Sequence, residues 1–329
     1  MTAHHALAKL ATTALLAIGA ASASPAQGGS YPERPVMIVT PSGAGAGPDV
    51  ITRIIADRLS QEWGRQVLVV NRPGGGGLIA AQAVSAADRD GYTLYLPLSS
   101  TFVVLPETQA KLPLDLRRDI VPIGLVGEQP MVIAVHPSLG VNTLAELIAV
   151  ARNRPGQLLY GAARGSMPHL AGALFAHRAG IELGLVPYPT ASRALTDAIG
   201  GTLSLVVESA ASVSGPIHSG QLRALAVAST KRLPDLPDVP TVAEAVPKLD
   251  GFEARGWFAL VALAGTPDDI VQHVHRTLQV VLAQPEVLKK LATLGTYPRP
   301  LSPAETVDFI RAEQELWRPL VRQIGVGPQ

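Results

Sequence analysis

Val36-Met-Ile-Val-Thr-Pro-Ser-Gly-Ala-Gly-Ala-Gly-Pro-Asp-Val-Ile51 reads as a buried strand, a glycine loop and the start of a helix. Gly43, Gly45 and Gly47 strip the loop of side chains, so its free backbone N–H groups point at whatever sits above the helix. Such a loop is an anion cradle or an ordinary strand-to-helix turn. Pro48 suits the first helical position, Asp49 falls in the first turn, and Val50, Ile51, Ile54, Ile55 and Leu59 form an apolar stripe.

The same plan recurs downstream. Val67–Val70 is a second strand, followed by Asn71-Arg-Pro-Gly-Gly-Gly-Gly77 and a helix of small residues from Ala80 to Ala87. Tyr92–Leu96 is a third strand, whose exit presents three hydroxyls, Ser99, Ser100 and Thr101. In a parallel sheet such exits line one crevice. Ile123–Val135 reads as a strand passing from one domain into the next, with Gly256–Ala262 as the return crossover. Between them strands and helices alternate, which favours an α/β fold. Leu158–Tyr160 leads into the glycine-bearing loop Gly161-Ala-Ala-Arg-Gly-Ser-Met-Pro-His169, Val186-Pro-Tyr-Pro-Thr190 precedes another helix, and Leu203–Val207 ends in Glu208. After the return strand only helices remain, starting near Thr266, Pro285 and Ser302; a strand-poor tail is expected to pack back on the first domain. The domain reading is therefore 27–127 plus 256–329, and 128–255.

Length and composition narrow the function. A chain of 329 residues with 47% hydrophobic content has room for about two cores. The net charge of +1, from 27 basic and 26 acidic residues, gives no basic stripe and argues against nucleic acid or a charged membrane surface as partner. The absence of cysteine removes disulfides, thiol catalysis and Cys-rich metal sites. At the N-terminus His4, His5 and Lys9 precede the apolar run Leu10–Ala20 and the small residues Ala21-Ser-Ala-Ser-Pro-Ala26. This is the layout of a signal peptide over residues 1–26, with cleavage expected between Ala23 and Gln27. The run is shorter than the roughly 20 apolar residues that span a bilayer, so the mature protein is expected to be exported and not inserted in a membrane.

No nucleophile elbow, zinc-binding HExxH, phosphate-binding P-loop or full dinucleotide fingerprint occurs, and Gly75-Gly-Gly-Leu-Ile-Ala80 matches only a variant of the last. His273 and His275 are two residues apart and fall on different helix faces, which disfavours a metal pair. His169 with Glu208, completed by Ser166 or Ser99, is the one constellation compatible with hydrolysis. In the other reading His169 fixes its loop, while Glu208 is a hydrogen-bond acceptor in a cleft or a solvated strand end.

Tyr31-Pro-Glu-Arg-Pro35, Pro41 to Asp49, Asn71-Arg-Pro-Gly74, Asp90-Gly-Tyr-Thr-Leu94, His169-Leu-Ala-Gly172, Val186-Pro-Tyr188, Leu222-Arg-Ala-Leu-Ala-Val227 and Leu236-Pro-Asp-Val-Pro-Thr-Val242 occur in this order. Together they resemble the Bug family, the periplasmic substrate-binding receptors of tripartite tricarboxylate transporters. The resemblance implies a periplasmic-binding-protein-like fold (type II-like), with two α/β domains, hinge strands and an interdomain cleft. It implies a monomer without cofactor or catalysis that captures a small carboxylated or otherwise polar solute for membrane permease subunits, or serves as a sensory receptor. It also implies a ligand carboxylate held by backbone amides and waters near the loops matching 41–49 and 161–169. The candidate ligand residues are thus Ser42, Gly43, Ala44, Gly45 and Asp49, then Ser99, Ser100 and Thr101, then Arg164, Gly165, Ser166 and His169, with Thr190 and Glu208. The chain departs from the family at Ser42, where an aromatic is usual, at Leu78 for asparagine, at Glu208 for aspartate, and at Arg164 for a neutral residue. Arg164 is read either as a solvated arginine or as a bidentate clamp on a ligand carboxylate.

Overall fold

The computed structural model describes residues 31–109 and 111–325, so the expected leader and its cleavage site lie outside the described residues. The opening stretch forms β1 (Val36–Thr40) and α1 (Gly47–Trp63), with Pro48 in the first turn and Gly64 closing the helix at φ 60°. Ile51, Ile55 and Leu59 make the buried row of α1; Val50, one residue off that row, is 37% exposed instead of joining the stripe. β2 (Val67–Asn71), α2 (Leu78–Ser85) and β3 (Thr93–Tyr95) repeat the unit, and α3 (Ser99–Val103) and α4 (Leu105–Thr108) follow.

β4 (Ile120–Val135) is the long central strand. Its ladder with β9 (Arg255–Leu263) shifts register at Pro122/Gly124 and Leu125/Gly127. Gly127 is needed there because a Cβ would lie 2.7 Å from Thr296 Cγ2 and 3.1 Å from the Tyr297 carbonyl oxygen. Beyond β4 come α5 (Leu144–Asn153), β5 (Leu159–Ala162), α6 (Met167–Ala179), β6 (Gly184–Pro187), α7 (Ala191–Ile199), β7 (Leu205–Ser209), α8 (Ala210–His218), β8 (Arg223–Val227) and α9 (Val242–Ala245). After β9 come α10 (Asp268–Ala283), α11 (Pro285–Thr293) and α12 (Pro303–Gln323).

The strands form one curled sheet in the order β2-β1-β3-β9-β4-β7-β5-β6, with β8 also paired to β4. β4 pairs with β9 over Ile120–Pro130 and with β7 and β8 over Met131–Val135, so it belongs to both halves. β3 and β4 each run antiparallel to β9, which makes β1, β2, β3 and β4 point the same way. β7 is antiparallel to β4 and parallel to β5, and β6 follows β5. The carboxyl ends of the two sets of parallel strands therefore face each other across the seam where β4 changes partners.

The apolar clusters place the helices. α1, α10 and α11 cover one face of the first half, with Ile51, Ile55, Val274, Val287 and Leu291 buried against Ile38, Leu94 and Phe258. α7 and α8 cover one face of the second half with Ala194, Ala198 and Val213. Leu294 packs with the first of these clusters and Tyr297 with the second, so both lie on one face of the sheet. The opposite face carries α2, α3, α5, α6 and α12 over a cluster running through both halves, from Tyr95 and Phe102 to Leu170 and Phe175. Whereas α10 and α11 pack on the first half, α12 contacts α3 and α4 on one side of the seam and α6 on the other. Among the described residues no helix is long and apolar enough to cross a membrane.

Candidate functional site

Register along β4 gives the width of the crevice. Phe258 bridges Leu98 and pairs with Gly127, while Ser209 pairs with Met131. The exits of β3 and β7 are thus separated by the stretch from Gly127 to Met131, roughly 13 Å at 3.3 Å per residue. A small solute fits between such walls.

The first wall is the loop from Ser42 to Asp49. The N–H groups of Gly43, Ala44 and Gly47 have no hydrogen-bond partner among the described residues, and Ala44 to Gly47 are exposed. A Cβ built on Gly43, Gly45 or Gly47 would meet nothing within 4 Å, so the loop faces open space. Asp49 gives this loop its shape. Its carboxylate accepts from Gly45 N at 2.8 Å, Arg53 Nε at 3.0 Å and Asn71 Nδ2 at 2.7 Å. Burial by itself would push the Asp49 carboxyl up, but hydrogen bonds from Arg53, Asn71 and the Gly45 amide outweigh it and hold the group below the usual carboxylate range. With three donors already bound, Asp49 positions the cradle rather than reaching out of it. Ser42 is 5% exposed and its hydroxyl donates to the Gly43 carbonyl at 3.3 Å.

The second glycine loop is closed instead of open. Gly74 to Gly77 all have positive φ, and Gly77 N donates back to the Gly74 carbonyl. A Cβ on Gly77 would lie 2.6 Å from Thr101 Oγ1. The stretch Ser99–Thr101, expected as an exit presenting three hydroxyls, starts α3: Ser99 and Thr101 are buried, and Thr101 Oγ1 is sealed without a partner. Ser100 alone of the three is partly exposed.

On the second wall Ser166 is the N-cap of α6, donating to the Ala163 carbonyl at 2.7 Å and accepting from His169 N at 3.5 Å. Gly165 N donates to His169 Nδ1 at 3.1 Å, which leaves the ring proton on Nε2. Burial, then the charge of Arg164, lowers the imidazole pKa and keeps it neutral. No hydrogen bond joins the Ser166 hydroxyl to the His169 ring among the described residues, so the pair does not form a nucleophile and base. Arg164 is exposed and has no hydrogen-bond or ion-pair partner among the described residues; Thr190 is the exposed N-cap of α7. Glu208 is not a solvated strand end. It is the penultimate residue of β7, 8% exposed, and its Oε1 accepts only from Ser209 N at 3.1 Å. Burial pushes its carboxyl up to about 7 against the opposing Ser209 amide.

Sequence reasoning missed two positioning groups. Asn71 ties β2 to the cradle, donating to the Ser42 carbonyl and to Asp49 while accepting from Arg53. At the seam Arg255 pairs with Glu128, Glu253 and Glu313, and Glu313 also accepts from the indole N–H groups of Trp257 and Trp317 at 2.9 and 3.1 Å. Asn71 had a signal in its place at the end of a strand ahead of four glycines. The Arg255 group is assembled from residues far apart in sequence and had none.

Comparison with known proteins agrees with this architecture. The family model described as tripartite tricarboxylate transporter family receptor matches residues 51–326. Protein BugT of Bordetella pertussis is 34% identical over 319 residues, covering 96% of this chain and 97% of BugT. Among solved structures, R. palustris Rpa4515 with adipate superposes with a TM-score of 0.79 at 32% identity, over 91% of this chain and 100% of that one. MatC from Rhodopseudomonas palustris with bound malate gives 0.75 at 26% identity, over 88% and 100%. With a family match over most of its length and this fold, the chain belongs to the tripartite tricarboxylate transporter receptor family.

Proposed function

We propose that the protein is an extracytoplasmic receptor that captures a small carboxylate-bearing solute between its two halves and delivers it to the membrane subunits of a tripartite tricarboxylate transporter. The observation that carries this reading is the open cradle of Gly43, Ala44 and Gly47 N–H groups, shaped by Asp49. The adipate and malate of the two solved relatives fit the same chemistry. In this reading residues 1–26 direct export, residues 27–127 with 256–329 form one domain, 128–255 form the other, and β4 and β9 are the hinge. The receptor acts as a monomer without cofactor or catalysis, and the internal bonding of Ser166 and His169 supports the last point. The N–H groups of Gly43, Ala44 and Gly47 hold one carboxylate, beside Ser42 and Gly45, and Arg164, Gly165, Thr190 and Glu208 meet the rest of the solute.

Calorimetry and thermal shift against mono-, di- and tricarboxylates test this. A binding solute at about a hundred times its dissociation constant adds roughly 2.7 kcal/mol of stability, and scattering shows compaction as the halves close. Arg164→Ala weakens it roughly ten- to a hundredfold if the guanidinium clamps a carboxylate. Failure of every carboxylate to stabilise the protein or change its scattering would end the receptor reading.

A further inference from the structure

Glu208 stands out among the buried groups as an acid with no basic partner. Alternation along β7 puts Leu205 and Val207 on one face of the sheet and Val206 with Glu208 on the other. That is the face covered by α7 and α8, and across the seam by α1, whose N-terminus carries the glycine cradle. Glu208 pairs with Val132, one step from the seam. Its Oε1 takes the Ser209 amide; its Oε2 has no partner among the described residues and is not sealed from solvent.

Among the described residues its surroundings supply no cation. On β4, Glu128 is held by Arg255 and Arg299. On the opposite face Tyr160 of β5 donates to the backbone carbonyl of His169 on α6. Asp197 of α7 accepts from Tyr188, and Arg193 on the same helix is exposed. His177 and Arg178 of α6 and His218 of α8 lie in the last turns, remote from the seam where these helices begin. None of these groups, nor Arg164, hydrogen-bonds or ion-pairs with Glu208.

A buried carboxyl without a cation is favoured as the neutral acid, and a second carboxylate brought beside it favours the proton further. We propose that Glu208 meets the distal carboxylate of a dicarboxylate solute as a neutral acid, donating its proton from Oε2, so that the receptor binds the dicarboxylate and one proton together. The inference rests on the receptor reading and adds to it a solute class and a co-bound proton. The bond formed is an O–H···O⁻ pair, which is short and strong. In the free protein burial places this titration at about 7, so at neutral pH the required proton is easily taken up.

The test is calorimetry with adipate and succinate, and with hexanoate and butyrate as monocarboxylates of equal length, from pH 6.5 to 8.5 in buffers of different ionisation enthalpy. The wild type should take up close to one proton per diacid at pH 8, with Kd rising about tenfold between pH 7.5 and 8.5. The monocarboxylates should show neither effect. Glu208→Gln should still bind the diacid, with Kd constant within twofold and no proton uptake. Diacid binding by the wild type that is flat with pH and proton-free would overturn the proposal and leave the receptor reading intact. PH dependence surviving in Glu208→Gln would overturn it as well. If none of the four solutes binds while another carboxylate of the wider panel does, this inference falls and the receptor reading stands; if no carboxylate of that panel binds, both fall.

Discussion

Asp49 at the start of α1 and Glu208 near the end of β7 lie on opposite sides of the seam, and both are more than nine-tenths buried. Asp49 has three donors and is held ionised; Glu208 has one backbone amide and is pushed towards its neutral form. Burial therefore does not set the charge of a carboxyl here. The number of donors brought to it does, and that number follows from its place, in the first turn of α1 beside Asn71 for Asp49 and near the end of β7 for Glu208. One wall is thus built to stay charged and rigid, and the other to exchange a proton.

Breaking the donor-rich side has the largest expected effect. Asp49→Ala leaves Gly45 N–H without its acceptor and the Asn71 amide with only the Ser42 carbonyl, and we expect a loss of roughly 2–3 kcal/mol in urea unfolding together with loss of solute binding. A loss below about 1 kcal/mol would mean that the loop keeps its shape without the carboxylate.

The donor-poor side sharpens the contrast through pH. The folded-state pKa of Glu208 is raised from the ordinary 4.5 to about 7, so its contribution is fully present below 4.5 and is lost as pH rises through 7. Relative to Glu208→Gln, which does not titrate, the wild type should lose up to about 3 kcal/mol between pH 4.5 and 8. Paired denaturation curves at the two pH values measure this, and a constant difference would show that Glu208 titrates normally.

The smallest effect separates the three donors of Asp49. The Arg53 side chain is 51% exposed, so Arg53→Ala should cost less than about 1 kcal/mol and less still at high salt. A cost approaching that of Asp49→Ala would make the ion pair, rather than the Gly45 and Asn71 bonds, the support of the cradle.

What the sequence revealed of this arrangement depended on how local its cause was. The glycine loop before α1, the helix start near Ser302 and the long strand through Ile123–Val135 are local signals, and the folded chain uses each of them. The hydroxyls at Ser99 and Thr101 read as open because nothing nearby shows that Gly77, more than twenty residues earlier, makes room for Thr101. The state of Glu208 was hidden for the same reason: a missing cation is a property of five packed elements and not of any one stretch. Asp49 was placed in its helix, but its bond to Asn71 joins the start of α1 to the end of β2, which meet only because β1 and β2 pair.

Glu313 on α12 has a spectroscopic consequence. Trp257 on β9 and Trp317 on α12 share its Oε2, beside the Arg255 cluster at the seam. The protein has three tryptophans, and Trp63 is stacked on His273 well away from that seam. The native indole emission thus combines two reporters bonded to one carboxylate at the seam with a third remote from it. Any rotation of the halves that pulls β9 from α12 changes the field on the first two alone, so the unlabelled protein carries its own fluorescent goniometer.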